Sequence, residues 1–171
     1  MNIARIKLAR IKLAAAGVLL ACLALPEYTC SRFVGPDGQT LAAGPAGVPV
    51  TPYREVQEKH YPLESFSVGE VGSWVGLVAF VWPWPVLAYY WRIRRGLGAQ
   101  GAVQRVVWLG EPLLSIGSGY VIWTVSGLGT RATGAYLALA ADAVYLGAWA
   151  AELRKNRTGR GRPTPRRRAV A

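Results

Sequence analysis

ATGAYLALAADAVYLGAWAA, residues 132–151, contains a single charged side chain among its 20 residues, Asp142, and this sets the class of protein. Two other stretches are almost as free of charge: residues 71–91 contain no charged residue, and residues 106–128 contain only Glu111. About 20 apolar residues of helix cross the roughly 30 Å hydrocarbon core of a bilayer. Each stretch therefore predicts a transmembrane helix, and the predicted fold class is all-α, a polytopic transmembrane helical bundle.

The basic residues lie between and beyond these stretches. The chain of 171 residues has a net charge of +11 and is 52% hydrophobic, a combination that excludes an ordinary soluble domain. Residues 1–12, 92–105 and 152–171 hold 16 of its 20 lysines and arginines. Because Lys and Arg accumulate in cytoplasmic segments, the pattern predicts that both termini and the 92–105 loop are cytoplasmic. Residues 32–70 then form an extracytoplasmic loop, and the chain is a multi-pass protein of the cell or inner membrane.

The segment 13–31 has more than one interpretation. Its uninterrupted apolar part has 13 residues, which is short for a span and typical of the core of a cleaved signal peptide. Extended to residue 31, the same segment forms a first transmembrane anchor, with Lys12 reaching back to the interface. The bundle has four spans if the anchor is retained and three if it is removed. A lipid-modified Cys22 is a weaker alternative, and residues 1–12 are predicted to form a basic cytoplasmic N-terminus.

The loop 32–70 is rich in Gly and Pro in its first half, which is typical of irregular chain. A short helix is predicted from Thr51 to about Tyr61, because Thr is a fair N-cap and Pro52 suits the first helical position. Cys30 is expected to be a free thiol, with a bond to a partner chain as the alternative. One histidine stands among three loosely spaced acids, a weak pattern for a metal that we interpret as a solvated face: His60, Glu55, Glu58 and Glu64.

A helix kink is predicted in the stretch FVWPWPVLAYYW, at Trp82, Pro83, Trp84 and Pro85. Proline lacks a backbone N–H, so the carbonyl groups of Ala79 and Val81 lose their helical partners. Within a bilayer such groups must be satisfied by a neighbour, so we expect another helix or an ordered water against the bend. A binding cleft flanked by the two tryptophans is the alternative to a static kink.

Four polar residues are predicted inside the membrane: Glu111, Ser115, Ser118 and Asp142. If the two last spans are antiparallel, Asp142 is level with about Gly117, and Glu111 lies about 9 Å nearer the cytoplasm. A charged group at this depth is costly, so these residues should face protein or water. They could join helices by hydrogen bonds, form steps of a proton or cation path, or pair with a basic residue of another subunit.

Two groups of arginines are predicted to face lipid headgroups: Arg92, Arg94 and Arg95 in the cytoplasmic loop, and Arg166, Arg167 and Arg168 in the tail. The tail 152–171 has the composition of a disordered segment. Basic segments of this kind bind anionic headgroups. Nucleic acid is an unlikely partner, because no aromatic residue is interleaved in the tail for base stacking.

The sequence contains no phosphate loop, nucleophile elbow or cluster of metal ligands, so no catalytic residue, metal or cofactor is predicted. The favoured function is an accessory or assembly subunit of a larger membrane complex, with a partner membrane protein. The alternative is a small homo-oligomeric carrier or channel, with a proton or cation path through Asp142 and Glu111. A membrane-bound enzyme ranks third.

Overall fold

The computed structural model describes residues 3–34, 40–41, 54–64, 66–96 and 101–160. It is mostly helical, which confirms the coarse all-α class, and it adds a small sheet that the sequence did not predict. The helices are α1 Ile3–Cys22, α2 Val71–Val81, α3 Pro83–Arg94, α4 Ala102–Ser126 and α5 Thr133–Arg160. The strands are β1 Tyr28–Val34, β2 Thr40–Leu41, β3 Arg54–His60 and β4 Thr130–Arg131.

Among the described residues, α4 and α5 are long and apolar enough to cross a membrane. The 25 residues of α4 extend over about 37 Å, more than a bilayer core. The pair α2 and α3 is bent by 46° and makes a third candidate if the two helices form one broken span. The helix α1 is not among the candidates, since it carries four basic residues: Arg5, Lys7, Arg10 and Lys12. Two or three spans are therefore supported, not four.

The four helical rods α1, α2–α3, α4 and α5 pack as a bundle around two apolar clusters. The larger cluster joins all four rods and includes Leu19, Phe80, Ile122 and Ala138. The smaller cluster contains Ala15, Trp82, Val86 and Tyr145. Beyond the smaller cluster lies the end of the bundle at which α1 and α4 begin and α3 and α5 end, here called the basic end. The opposite end, where the strands lie, is the sheet end.

The sheet is antiparallel and has β1 at its centre. Strand β1 pairs with β3 along its whole length, from Tyr28 opposite His60 to Val34 opposite Arg54, and also with β2 and β4. The predicted helix from Thr51 to Tyr61 is therefore wrong over residues 54–60, while residues 51–53 lie outside the described residues. The reason is tertiary: β1 is rich in aromatic and β-branched residues and offers β3 a ladder of backbone hydrogen bonds, which outweighs a weak local helix signal.

The boundaries of two helices also differ from the prediction. The segment 13–31 is not one anchor, because α1 begins at Ile3, ends at Cys22 and is followed by Pro26, after which residues 28–31 belong to β1. The basic N-terminus is thus part of α1. The helix α5 continues to Arg160, so the first nine residues of the predicted disordered tail, 152–160, are helical, while residues 161–171 lie outside the described residues.

The chain around Pro26 and Glu27 ties the sheet to the start of α5. The backbone N–H groups of Ala132 and Gly134 donate to the carbonyl groups of Glu27 and Pro26, at 3.0 and 3.1 Å. Gly134 permits this approach, since a Cβ there would lie 2.5 Å from the carbonyl oxygen of Pro26. The carboxyl group of Glu27 is buried in this junction, and burial raises its pKa to about 7.

Candidate functional site

Two helix faces bring the polar residues of the bundle together. On α4, Trp108, Glu111, Ser115 and Ser118 follow one another at intervals of three or four residues and so share a face. On α5, the same intervals connect Asp142, Tyr145, Trp149 and Glu152. The two helices run antiparallel. Glu111, near the start of the α4 face, therefore lies close to Glu152, at the end of the α5 face.

The centre of the site is Lys12, a lysine of α1 whose side chain is only 3% exposed. Its ammonium group donates to Oε2 of Glu111, at 2.7 Å, and to Oε2 of Glu152, at 2.9 Å. Glu111 is fully buried, whereas the side chain of Glu152 is 25% exposed. A buried charge is tolerated when it is paired and hydrogen-bonded, and here one ammonium group serves two carboxylates from two helices. This ion-pair cluster joins α1, α4 and α5.

Two tyrosines complete the surroundings of Lys12. Its Nζ lies 5.4 Å from the ring centre of Tyr145 on α5 and 5.9 Å from that of Tyr90 on α3, within the range of cation–π attraction. The hydroxyl groups of both tyrosines lie near the carboxylate of Glu111. Neither hydroxyl group, nor Oε1 of Glu111, has a hydrogen-bond partner in the part of the chain that the structure describes. Every rod of the bundle therefore contributes to the site.

Asp142 lies about one helical turn nearer the sheet end. Its Oδ1 accepts a hydrogen bond of 2.9 Å from the hydroxyl group of Ser115, and both side chains are buried. Its Oδ2 lies 3.1 Å from where a Cβ of Gly119 would be, so the carboxylate of Asp142 sits between Ser115 and Gly119, about level with Gly117 as expected. Glu111 and Asp142 have separate partners and do not form a close pair.

Ser118 supports the kink between α2 and α3. Its hydroxyl group donates to the carbonyl oxygen of Ala79, at 2.6 Å, and this is the carbonyl group that loses its helical partner because of Pro83. The expected neighbour of the bend is therefore α4. The indole ring of Trp82 at the bend packs edge-on against Tyr145, with ring centres 5.0 Å apart.

A second proline also leaves a backbone carbonyl group to which a side chain of a neighbouring helix donates. Pro112 lies inside α4 and removes the partner of the Trp108 carbonyl group. The indole N–H of Trp149 on α5 donates to that carbonyl oxygen, at 3.1 Å. Pro83 and Pro112 thus each remove one backbone hydrogen bond inside a helix, and in each case a side chain of a neighbouring helix donates to the carbonyl group left over.

The remaining predicted residues lie at the margins of the bundle. Trp84 is half-buried and Pro85 is exposed. Arg92 and Arg95 are exposed at the basic end, and Arg95 stacks 3.7 Å above the ring of Trp91. The side chain of Arg94 and the whole of Arg166, Arg167 and Arg168 lie outside the described residues.

His60 stacks on Tyr28, and the described residues contain no group of three possible metal ligands. Cys22 and Cys30 are free thiols.

Sequence reasoning missed Lys12, Glu152 and the two tyrosines. The sequence places Lys12 on a solvated flank because it is the last charge before an apolar run, and it places Glu152 in the tail because it is the first charge after one. Their shared depth was a usable signal: in an even-numbered antiparallel bundle, Lys12, Glu111 and Glu152 all fall near the same boundary. A lysine and two acids at one depth predict an ion pair.

The ion-pair cluster holds α1, α4 and α5 together by electrostatic attraction. Glu152 is the member of the cluster that is partly exposed to solvent. The lysine is already engaged by two carboxylates, and the nearest further acid, Asp142, is engaged by a serine. A comparison with protein-family models, with curated proteins and with solved structures finds no match for this chain.

Proposed function

We propose that the chain is a four-span membrane protein with both termini on the cytoplasmic side, and that α1 is retained as its first span. The large exposed side chains support this placement, because many of them are apolar and lie on the helices, such as Val71, Val106, Leu113 and Ile116. The exposed Arg92, Arg95, Arg105 and Arg154 lie at the basic end, as the positive-inside rule requires.

Retention of α1 is supported by the role of Lys12. Removal of the first 24 residues would leave Glu111 buried without its cation, which costs several kcal/mol for a charged group in a low-dielectric interior. The helix also contributes Ala15, Leu19 and Cys22 to the apolar clusters. In this proposal the segment is a built-in helix and not a disposable signal.

For its biochemical role, we infer that the chain acts as an accessory or assembly subunit of a larger membrane complex. The observation that carries this inference is the ion-pair cluster itself, in which Lys12 satisfies Glu111 and Glu152 within one chain. Because the buried charged groups are paired within the chain, they stabilise it as a scaffold and need no charged group from a partner. In this proposal a partner packs on the apolar outer faces of α2 and α4.

Native mass spectrometry of the protein extracted gently from its own membrane tests this role. We expect a complex with other polypeptides, and a mass for this chain that includes residues 1–24. The control is the same chain produced in a foreign membrane that lacks the partners, where it should be recovered alone. Recovery of only a monomer or homo-oligomer from the native membrane contradicts the subunit role, and a mass lacking residues 1–24 contradicts retention of α1.

One observation favours the alternative, a small homo-oligomeric carrier or channel with a proton or cation path through Glu111 and Asp142. The hydroxyl groups of Tyr90 and Tyr145 and Oε1 of Glu111 are buried close together, and none of them makes a well-aligned hydrogen bond to a described residue, so a water molecule between them would satisfy all three. Such a water would continue a polar route from Glu152 at the surface to Glu111.

Proton flux into liposomes that contain the purified chain tests the alternative. A path requires flux that falls at least tenfold in Glu111→Gln and Asp142→Asn and also falls in Tyr145→Phe, which removes only the buried hydroxyl group beside Glu111. The matched control is Tyr120→Phe, an exposed tyrosine on α4. Absence of flux above that of empty liposomes in the unmodified chain contradicts a path.

A further inference from the structure

Two exposed tryptophans on neighbouring helices lie at one depth near the sheet end. The hydrogen bond from Ser118 to Ala79 makes these two residues level on α4 and α2, which run in opposite directions. Trp123 and Trp74 each lie about 8 Å from that contact towards the sheet end. Their side chains are 51% and 46% exposed. The outside of the bundle therefore presents two indole rings at the same height.

Tyr136 on α5 extends this level to a third helix. Gly117 is about level with Asp142, and Trp123 and Tyr136 each lie about 9 Å further towards the sheet end. The side chain of Tyr136 is also exposed. Exposed tryptophan and tyrosine residues at one depth are typical of the interface between a bilayer and water. We call Trp74, Trp123 and Tyr136 the aromatic belt.

The basic residues of α4 and of the turn after it agree with an interface at the aromatic belt. The guanidinium group of Arg131 lies 3.6 Å from the ring centre of Trp123. Arg105, which is exposed at the basic end, lies about 27 Å from Trp123 along α4. This separation is close to the roughly 30 Å thickness of the hydrocarbon core of a bilayer. The candidate span α4 thus has a cation near each edge of such a core.

A short turn of the chain before α2 lies against the aromatic belt. The indole N–H of Trp74 donates to the carbonyl oxygen of Val68, at 3.1 Å. The ring of Phe66 packs edge-on against the same indole, with ring centres 4.9 Å apart. We call residues 66–70 the belt turn. Because Trp74 is on the exposed side of α2, the belt turn is held against the outer side of that helix.

The belt turn lengthens the apolar outer face of α2. Val71, Trp74, Val75 and Val78 follow one another at helical spacing and are all exposed, so they share this face. Val68, which is bonded to Trp74, continues it beyond the start of the helix. Val68 and Val71 are 76% and 79% exposed, the highest values among the large apolar side chains that the structure describes. An exposed apolar patch of this kind marks a contact surface.

The polar backbone groups of the belt turn are partly satisfied within the chain. The carbonyl oxygen of Val68 accepts from Trp74, and the backbone N–H of Glu70 donates to the carbonyl oxygen of Ser67, at 3.2 Å. Paired backbone groups lower the cost of leaving water. The belt turn can therefore enter a less polar environment without losing these two hydrogen bonds.

The charge of this region is that of an apolar contact. Residues 61–91 contain no lysine or arginine, and the acids Glu64 and Glu70 flank the exposed valines. Negative headgroups therefore do not attract the belt turn, and its affinity for a membrane comes from the burial of apolar side chains.

We propose that the belt turn inserts into the lipid interface at the sheet end, with Phe66 and Val68 among the upper parts of the acyl chains and Glu70 at the headgroups. Trp74 is its positioning residue. The inference rests on the proposed four-span arrangement, and it moves the end of the predicted extracytoplasmic loop 32–70 from water into the membrane surface. A partner that packs deeper on α2 and α4 leaves this contact in place.

Spin labels on single cysteines test the insertion in the full-length chain, reconstituted in phosphatidylcholine liposomes. The background is Cys30→Ser, because Cys22 is buried and out of reach of the label. Val68→Cys carries the label on the belt turn. Val56→Cys is the matched control, since Val56 is an exposed valine of the same loop, and Leu113→Cys on the exposed face of α4 is the lipid reference. Collisions of the label are measured with oxygen, which concentrates in lipid, and with a nickel chelate, which stays in water.

We expect the ratio of oxygen to nickel collisions to be at least fivefold higher at residue 68 than at residue 56. The ratio should not change when part of the phosphatidylcholine is replaced by phosphatidylglycerol. Trp74→Phe removes the indole N–H and keeps a ring, so it should lower the ratio at residue 68 at least twofold. Trp123→Phe, which alters the aromatic belt away from the belt turn, is the control for that substitution and should leave the ratio unchanged.

Three results overturn the proposal. Equal ratios at residues 68 and 56 would place the belt turn in water. A label at residue 68 that neither reagent reaches would show that protein, such as a second copy of the chain, covers it. A high ratio only in the presence of phosphatidylglycerol would assign the contact to headgroup charge. Val71→Cys is a second labelled position in case Val68→Cys does not fold.

The lipid reference separates this inference from the arrangement on which it rests. A label at Leu113 that the nickel chelate reaches freely would contradict the four-span arrangement and the insertion together. A label at Leu113 in lipid with a label at Val68 in water would leave the arrangement standing and overturn the insertion alone.

Discussion

The hydroxyl group of Ser118 donates a 2.6 Å hydrogen bond to the carbonyl oxygen of Ala79, the acceptor that Pro83 leaves without a helical partner. Ser118→Ala should therefore lower the free energy of unfolding by about 1 kcal/mol, as for hydrogen bonds between transmembrane helices. In a Pro83→Ala background the backbone N–H of residue 83 takes over the acceptor, and the same substitution should cost almost nothing. The free energy of unfolding in mixed micelles is measured for the native chain, Ser118→Ala, Pro83→Ala and the double variant. Equal costs of Ser118→Ala in both backgrounds would disprove the relationship.

The indole of Trp149 has the same relationship to Pro112. We expect Trp149→Phe to destabilise the protein more in the native background than in Pro112→Ala, because the Trp108 carbonyl group regains a backbone donor in the latter. The difference between the two costs should be about 1 kcal/mol. Additive effects of the two substitutions would show that the indole contributes only packing.

Lys12 should be the most sensitive basic residue of α1. Lys12→Met leaves Glu111 fully buried without a cation, and breaking a buried pair in this way costs about 3–5 kcal/mol. Lys7 is exposed, so Lys7→Met is the control and should have little effect on unfolding in detergent. Adding Glu111→Gln to Lys12→Met should recover part of the loss, since the remaining side chain carries no charge. A loss no greater than that of Lys7→Met would mean that the cluster is solvated.

Gly134 should tolerate no side chain. In Gly134→Ala the new Cβ would lie 2.5 Å from the carbonyl oxygen of Pro26, so the junction of the sheet with α5 must shift, at a cost of about 1–3 kcal/mol. Gly117→Ala, also within a helix, meets only open space and should be neutral or slightly stabilising. Thermal unfolding in detergent compares them, and equal melting temperatures would contradict the close approach.

The stability of the sheet end should fall as the pH rises. The pKa of Glu27 is raised to about 7 by burial, so between pH 4.5 and 7 the folded state binds more protons at this carboxyl group than the unfolded state does. Stability then decreases with rising pH across that window, by up to about 3 kcal/mol. Glu27→Gln should remove this contribution and melt at a higher temperature than the native chain at pH 8, with a smaller difference at pH 4.5. A constant difference across the range would show that Glu27 is solvated.

The helical part of the fold was predictable because the apolar runs and the prolines act locally. Absence of charge marked three of the four rods, and the missing N–H of Pro83 located the bend and the carbonyl group that needs a donor. The kink, the need of its carbonyl groups for a neighbouring donor, and the position of Asp142 beside the middle of α4 follow from spacing alone.

The sheet and the ion-pair cluster could not be derived in this way, because both depend on segments far apart in the sequence. Strand β3 has a polar sequence with weak strand preference, and it becomes a strand only because β1 lies beside it. Lys12 has two plausible environments, water at the interface or a carboxylate in the bundle. Local composition does not distinguish them, since the answer depends on where Glu111 and Glu152 lie.

The position of Lys12 also has a consequence for biosynthesis. The ribosome makes this lysine 99 residues before Glu111 and 140 residues before Glu152. In the four-span arrangement proposed above, Lys12 has no counter-ion during that interval and stays near the headgroups until α4 and α5 have been inserted. In that arrangement α1 reaches its final place only after the two helices that hold its counter-ions.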